Sequence, residues 1–107
     1  MATLSTHVLD TSVGRAAKGV AVALEQGGVR IGEGTTDADG RIGSIGPDGL
    51  VAGAYTLRFD SGSYFAADGR DCFYPEVVVV FTIADPNQHY HVPVLLNPFG
   101  YGTYRGT

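Results

Sequence analysis

The sequence predicts an all-β sandwich built from two antiparallel sheets. About eight short segments alternate apolar and polar residues, as half-buried strands do. Only one short segment favours a helix, and strands and helices do not alternate as they would in an α/β fold. The 16 glycines and 5 prolines fall between the apolar segments and mark turns. Together these observations favour a sandwich.

Five of the predicted strands lie in the first sixty residues. In the second of them Val20, Val22 and Leu24 share one face, and Gly27 and Gly28 then allow a tight turn into the third. In the fifth, aromatic and aliphatic side chains alternate with Thr56 and Arg58. The five predicted strands cover residues 4–9, 19–25, 29–35, 41–45 and 54–60.

The second half begins with the helix candidate, residues 63–69, which Ser63 could cap and Gly69 could end. Residues 77–81 are apolar on both faces of their predicted strand, so one face needs cover from outside the core, for which a second subunit is the candidate. The remaining predicted strands cover residues 75–83, 89–96 and 101–105.

Size and charge limit the classes of function. A chain of 107 residues predicts one domain over residues 1–107, small enough to benefit from oligomerisation. The net charge of −4 argues against nucleic acid or an anionic membrane as a partner. Cys72 is the only cysteine, which suits a reducing compartment. The sequence shows no signal segment and no apolar run long enough to span a membrane. We therefore expect a cytoplasmic protein, or a periplasmic one if a signal segment was removed.

Three histidines are the strongest candidates for chemistry. His89 and His91 are two residues apart and so share a strand face, while Tyr90, Val92 and their even-numbered neighbours take the core face. The pair could be ordinary polar residues on a solvated face, proton carriers, or, with His7, zinc ligands. No carboxylate or cysteine stands at a recognisable ligand spacing, so the sequence predicts no metal and no other cofactor.

The end of the chain is unusual. Aromatic residues run through positions 99–104, whereas chain ends usually fray, so some contact should hold this segment in place. Arg41, which follows a predicted turn, would on its own be an ordinary surface residue. No serine-nucleophile elbow, dinucleotide motif or P-loop is present, and Cys72 lacks a basic neighbour to activate it.

Several motifs together resemble the 5-hydroxyisourate hydrolases, the transthyretin-related family of purine breakdown. They are LSTHVLD at residues 4–10, TDADGR at 36–41, FYPEV at 73–77, HYHVPVLL at 89–96, PFGY at 98–101 and YRGT at 104–107. The resemblance implies a transthyretin-like β-sandwich of two four-stranded antiparallel sheets with one short helix. It also implies a homotetramer, a dimer of dimers, with active sites at the dimer–dimer interface.

The resemblance further implies a reaction and a site. Water would open the cyclic amide of 5-hydroxyisourate without a cofactor, to give 2-oxo-4-hydroxy-4-carboxy-5-ureidoimidazoline in the branch from urate to allantoin. By this resemblance His7, Arg41 and His91 are the catalytic residues, with His7 and His91 interchangeable as general base. The substrate would be bound by the tail, Tyr104, Arg105, Gly106 and Thr107.

One residue departs from the family pattern. The family usually ends in serine and this sequence ends in Thr107, which keeps a hydroxyl and the terminal carboxylate but adds a methyl group. A transthyretin-like carrier of a small aromatic ligand is the alternative without turnover. The HxHVP motif and the YRGT ending favour the enzyme, because transthyretin itself lacks both.

Overall fold

The structure is a computed structural model that describes residues 2–107. Within these residues nine strands and one helix follow one another: β1 (Thr3–Asp10), β2 (Arg15–Ala16), β3 (Ala21–Gln26), β4 (Val29–Thr35), β5 (Arg41–Ile42), β6 (Gly53–Phe59), α1 (Ser61–Ala67), β7 (Val77–Ile83), β8 (His89–Asn97) and β9 (Gly100–Thr103). None of the described residues forms a helix long and apolar enough to cross a membrane.

Two sheets form the predicted sandwich. One has the order β4-β3-β6-β7, and the other follows β2-β1-β8-β9 with β5 paired to β1 as a fifth strand. The predicted sandwich of two sheets with one short helix is therefore confirmed, with two differences in detail. β1 and β8 pair in parallel, so the second sheet is mixed rather than antiparallel. The two-residue strand β2 was not predicted, because two residues show no periodicity.

The core lies between the two sheets. β6 and β7 alternate as predicted, so that every second side chain points inward. Tyr55, Leu57 and Phe59 of β6 are each at most 1% exposed. Across the core, Leu4 and Val94 belong to the other sheet and are also buried. This alternation sends the intervening residues of β1 and β8 to the outer face of their sheet.

The helix begins two residues earlier than predicted. Asp60, not Ser63, caps it, because the Asp60 carboxylate accepts a hydrogen bond from the Ser63 backbone nitrogen at 3.0 Å. A cap three residues before the bonded N–H is the usual geometry, and it places Ser63 inside the first turn. Phe65 is fully buried and fixes the helix against the core.

The outer face of β7 is apolar and open, as the sequence predicted. Val78 is 38% exposed and Val80 is 70% exposed, whereas Val77 and Val79 point into the core. The strand is also at the end of its sheet, so one of its edges has no partner strand within residues 2–107. Apolar side chains beside an open strand edge favour association with another chain.

Candidate active site

Polar side chains from β1 and β8 share one outer sheet face. The parallel register places Thr3 opposite His89, Ser5 opposite His91 and His7 opposite Pro93. Side chains two apart on a strand point the same way, so these residues form two adjacent columns, polar except for Pro93. Their neighbours in sequence, such as Leu4 and Tyr90, are buried on the core face. The predicted shared face of His89 and His91 is therefore confirmed.

Arg41 reaches this face through a tight turn. The Asp37 carboxylate accepts hydrogen bonds from the backbone nitrogens of Asp39 and Arg41, each at 2.9 Å. Gly40 has a φ of +73°, which glycine adopts without strain, and its carbonyl accepts a bond from the Val8 nitrogen at 2.7 Å. These bonds hold β5 against β1 with Arg41 opposite His7.

Two contacts hold the chain after β9 against β8. The Gly106 nitrogen donates to the His91 carbonyl at 2.9 Å, and the Thr103 hydroxyl donates to the Pro93 carbonyl at 2.8 Å. The predicted need for a contact that fixes this segment is met by β8. The β-strand itself ends at Thr103 rather than at the predicted residue 105, and the pairing resumes as a single bridge at Gly106.

These elements enclose a pocket of about 500 Å³. Predicted site residues that line it come from β1, β5, β8 and the tail; they are His7, Arg41, His91, Tyr104, Gly106 and Thr107. Arg105 does not line it. Its guanidinium lies 4.7 Å from the Tyr90 ring centroid and donates to the Gln88 side chain at 3.0 Å. Residues alternate along the extended tail, which turns Arg105 away from the pocket that Tyr104 and Gly106 face.

His91 is a half-buried imidazole that lines the pocket. Its Nδ1 is 2.7 Å from the Ser5 hydroxyl, which leaves Nε2 as the ring nitrogen available to the pocket. Burial lowers the pKa of His91, and the positive charges of Arg41, His7 and His89 lower it further. His91 is therefore a neutral imidazole at neutral pH, able to accept a proton.

His89 is held by hydroxyls at both ring nitrogens. Its Nδ1 is 2.6 Å from the Thr3 hydroxyl and its Nε2 is 2.8 Å from the Ser5 hydroxyl. Within residues 2–107, no three histidine, cysteine or carboxylate side chains are grouped closely enough to hold a metal ion. The geometry of the three histidines thus differs from that of a zinc site, in which at least three ligands converge on one point.

The arrangement suits acid–base hydrolysis of a small polar substrate. A neutral imidazole can take a proton from water, and a guanidinium can stabilise an oxyanion through its planar fork of donors. Ser5 is the contact residue that the sequence analysis missed. Alternate residues of a strand share a face, so the LSTH segment already places Ser5 on the same face as His7, just as His89 shares a face with His91.

Comparisons with known proteins agree on one family. The family model described as the HIUase/Transthyretin family matches residues 4–106. A 5-hydroxyisourate hydrolase of Salmonella dublin is 46% identical over 97% of this chain and 80% of its own length. The structure of Klebsiella pneumoniae 5-hydroxyisourate hydrolase superposes with a TM-score of 0.92 and 40% identity, over 100% of this chain and 94% of that one.

A transthyretin is also similar. Sea bream transthyretin, solved in complex with thyroxine, gives a TM-score of 0.88 and 34% identity over 97% of this chain and 94% of that one. Fold, site and comparisons define a small transthyretin-like β-sandwich with a histidine- and arginine-lined pocket. The chain belongs to the HIUase/Transthyretin family.

Proposed function

We propose that this protein is a 5-hydroxyisourate hydrolase. It opens the cyclic amide of 5-hydroxyisourate with water to give 2-oxo-4-hydroxy-4-carboxy-5-ureidoimidazoline, in the branch of purine breakdown from urate to allantoin. The observation that carries the proposal is the meeting of His7, Arg41, His91 and the tail around one pocket. These residues come from four separate segments of the chain, and each belongs to a motif that the family shares with this sequence.

His91 is the general base in this mechanism. Its Nε2 takes a proton from water as the water attacks the ring carbonyl, while the Ser5 hydroxyl holds Nδ1. The lowered pKa of His91 keeps the imidazole neutral and ready for this step. His7, on the neighbouring strand and the same face, orients the water or substrate and passes a proton to the leaving ring nitrogen.

Arg41 stabilises the negative charge that develops on the attacked carbonyl oxygen. The Asp37 turn fixes its backbone opposite His7, and its side chain lines the pocket in which the charge forms. Tyr104, Gly106 and Thr107 form the rim that binds the polar substrate. Arg105 supports that rim from behind by packing on Tyr90.

One assay tests the proposal. Purified protein is added to freshly generated 5-hydroxyisourate, and the ultraviolet decay is followed with and without a chelator. Accelerated decay that the chelator leaves unchanged is the expected result. Loss of the acceleration on chelation would instead favour a metal-dependent hydrolase that uses His7, His89 and His91.

The second candidate is a binding module without turnover. Its support is the similarity to sea bream transthyretin, a structure solved with thyroxine bound. A carrier would bind a small aromatic ligand and leave the decay of 5-hydroxyisourate at its spontaneous rate. The same assay therefore separates the carrier from the hydrolase.

The proposed assembly is a homotetramer, a dimer of dimers with its active sites at the dimer–dimer interface. Two features support assembly: the apolar outer face of β7, and the half-exposed Tyr104 at the rim of a pocket that lies open on one sheet face. Mass measurement in solution tests it, and a monomer at micromolar concentration would contradict it.

The proposed location is the cytoplasm. A single cysteine, Cys72, does not form a disulfide within the chain and suits a reducing compartment. Cell fractionation followed by immunodetection tests this, and recovery in a periplasmic fraction would contradict it.

A further inference from the structure

Four polar side chains form a continuous hydrogen-bonded row across β1 and β8. Thr3 contacts His89 Nδ1 at 2.6 Å, Ser5 contacts His89 Nε2 at 2.8 Å, and Ser5 contacts His91 Nδ1 at 2.7 Å. The row begins in the pocket at His91 and ends at Thr3, which is half-buried beside the exposed His89. The mechanism above uses only one of its members, His91, as a reacting group.

The number of protons in the row restricts how it can be arranged. The Ser5 hydroxyl has one hydrogen to donate, yet it contacts a nitrogen of each imidazole. When this hydrogen is donated to one ring, the Ser5 oxygen accepts from the other ring. Each neutral imidazole likewise carries one N–H and one acceptor nitrogen. The whole row then points in one of two directions.

The two directions give His91 opposite roles. In the first, His91 donates from Nδ1 to Ser5, Ser5 donates to His89 Nε2, and His89 donates from Nδ1 to Thr3, so that His91 Nε2 is bare. In the second direction each bond is reversed, and His91 Nε2 carries the proton. Reversal moves one proton across each link and leaves both rings neutral once Thr3 exchanges a proton with water.

We propose that Ser5, His89 and Thr3 form a proton relay that sets the tautomer of His91 and lets it alternate between base and acid. This inference rests on the proposed hydrolase function. When His91 Nε2 takes a proton from the attacking water, its Nδ1 proton passes to Ser5, and the Ser5 proton passes to His89 Nε2. His89 gives its Nδ1 proton to Thr3, whose own proton leaves to solvent. The proton on His91 Nε2 then passes by way of His7 to the leaving nitrogen, while a proton from solvent returns through Thr3, His89 and Ser5 to His91 Nδ1 and restores the neutral ring.

The charges around His91 explain why a relay helps. Arg41 and His7 lie on the pocket side of the ring, and burial together with their charges lowers the pKa of His91. An imidazolium at this position is therefore disfavoured. The relay avoids it, because each ring gives up one proton as it takes another, and the surplus proton leaves through the exposed His89 and Thr3, away from Arg41. Ser5 and His89 are thus positioning residues that act through His91.

The first test uses the resting protein and needs no substrate. Two-bond ¹H–¹⁵N NMR correlations report the tautomer of each histidine ring. In the wild type we expect His91 Nδ1 and Nε2 to show averaged shifts, the mark of two tautomers in exchange. Ser5→Ala and His89→Phe should leave His91 in one tautomer, and Ser5→Thr, which keeps the hydroxyl, should restore the average. Unchanged His91 ring shifts in both Ser5→Ala and His89→Phe would overturn the relay.

The second test is kinetic. The kcat for 5-hydroxyisourate is measured in mixtures of H₂O and D₂O. A curved dependence on deuterium content is expected for the wild type, because several protons move together, and a linear one for His89→Phe and Thr3→Val. Both variants should also lower kcat about tenfold or more with KM within about twofold, as loss of part of an acid–base contribution predicts. Thr11→Val is the control, since the Thr11 hydroxyl bonds only the Leu96 carbonyl.

The outcomes separate the two proposals. If the wild type fails to accelerate the decay of 5-hydroxyisourate, the proposed function is wrong, and the NMR test still decides whether the relay exists. The wild type could instead be active while His89→Phe and Thr3→Val have the same kcat and the same dependence on deuterium content. In that case the relay is wrong, and Ser5 only orients the His91 ring. Should Ser5→Ala fail to fold, the exposed position of His89 keeps the second variant informative.

Discussion

The backbone of Gly106 lies directly against the imidazole of His91. The Gly106 nitrogen donates to the His91 carbonyl at 2.9 Å, which fixes the distance between the tail and β8. A Cβ on Gly106 would lie 3.1 Å from His91 Cγ, 3.3 Å from its Cβ and closer still to Cδ2. Position 106 therefore restricts the ring of His91 from one side, while the Ser5 hydroxyl holds Nδ1.

Gly106→Ala should impair catalysis more than folding. The added methyl forces either the tail or the His91 ring to move, and misplacing a catalytic group by about 1 Å can cost ~10²-fold in rate. We expect kcat to fall at least about tenfold, with the midpoint of thermal unfolding nearly unchanged. Steady-state kinetics and circular dichroism measure the two effects.

Gly102→Ala is the matched control for this prediction. Gly102 lies on β9 a few residues earlier, and a Cβ there meets no atom within 4 Å. Its kcat should equal that of the wild type. A comparable loss of activity in both variants would mean that glycine in the tail matters for flexibility and not for the position of His91.

Alternation along single strands was enough to predict the faces of β8. Tyr90, Val92 and Val94 are buried, and His89 and His91 share the outer face, because a side-chain period of two is a local property of the backbone. The helix start was missed by two residues, since Asp60 and Ser63 are both good caps and only tertiary packing decides between them.

Contacts between distant segments could not be derived from periodicity. The parallel pairing of β1 with β8 brings Ser5 beside His91 although 86 positions separate them. Nothing in either segment alone specifies the partner or the direction. Resemblance to the family supplied the roles of His7, Arg41 and His91. It also implied that Arg105 binds the substrate, whereas the Arg105 guanidinium lies over the Tyr90 ring, outside the pocket.

Loss of either pocket imidazole should lower turnover strongly. General acid–base catalysis by a positioned side chain contributes roughly 10²–10⁴-fold, so His91→Ala and His7→Ala should each reduce kcat at least about a hundredfold. Both residues lie on the outer sheet face, so circular dichroism should show an intact fold. Near-normal turnover by one variant would remove that histidine from the mechanism.

Substitution of Arg41 should separate charge from geometry. Burial and the charge of Arg41 lower the pKa of His91, which must be neutral to act as a base. The fall of kcat/KM on the acidic side of its pH profile, its acidic limb, should therefore lie below the ordinary histidine pKa of about 6.5. Arg41→Gln removes the charge, and the limb should move to higher pH. Arg41→Lys keeps the charge but not the planar fork, so the limb should stay while kcat falls at least about tenfold. Equal pH profiles for the two variants would contradict this account.

A buried carboxylate should make the fold sensitive to acid. Burial alone would raise the pKa of Asp10, but hydrogen bonds from Arg70, Ser12 and Tyr64 and the Arg70 charge outweigh it and lower the pKa to about 2. A lowered pKa adds stability above the unfolded value of 3.8, and this stability is lost as the pH falls from about 4 to 2. The contribution is roughly 2 kcal/mol.

Urea unfolding at fixed protein concentration measures this effect. The difference in unfolding free energy between the wild type and Asp10→Asn should shrink as the pH falls from about 4 to 2, because protonated Asp10 resembles asparagine. Asp48→Asn, at an exposed position, should track the wild type throughout. A constant difference between the wild type and Asp10→Asn over this range would show that the Asp10 pKa is not lowered in the folded protein.

The hydroxyl of Thr107, not its methyl group, should matter for substrate binding. Thr107 lines the pocket together with Tyr104 and Gly106. Thr107→Ser keeps the hydroxyl and gives up only the methyl that restricts χ1, so kcat/KM should stay within about threefold of the wild type. Thr107→Val keeps the shape and loses the hydroxyl; a lost hydrogen bond of about 1 kcal/mol should raise KM about fivefold. If serine and valine change KM equally, the residue contributes shape alone and its hydroxyl does not contact the substrate.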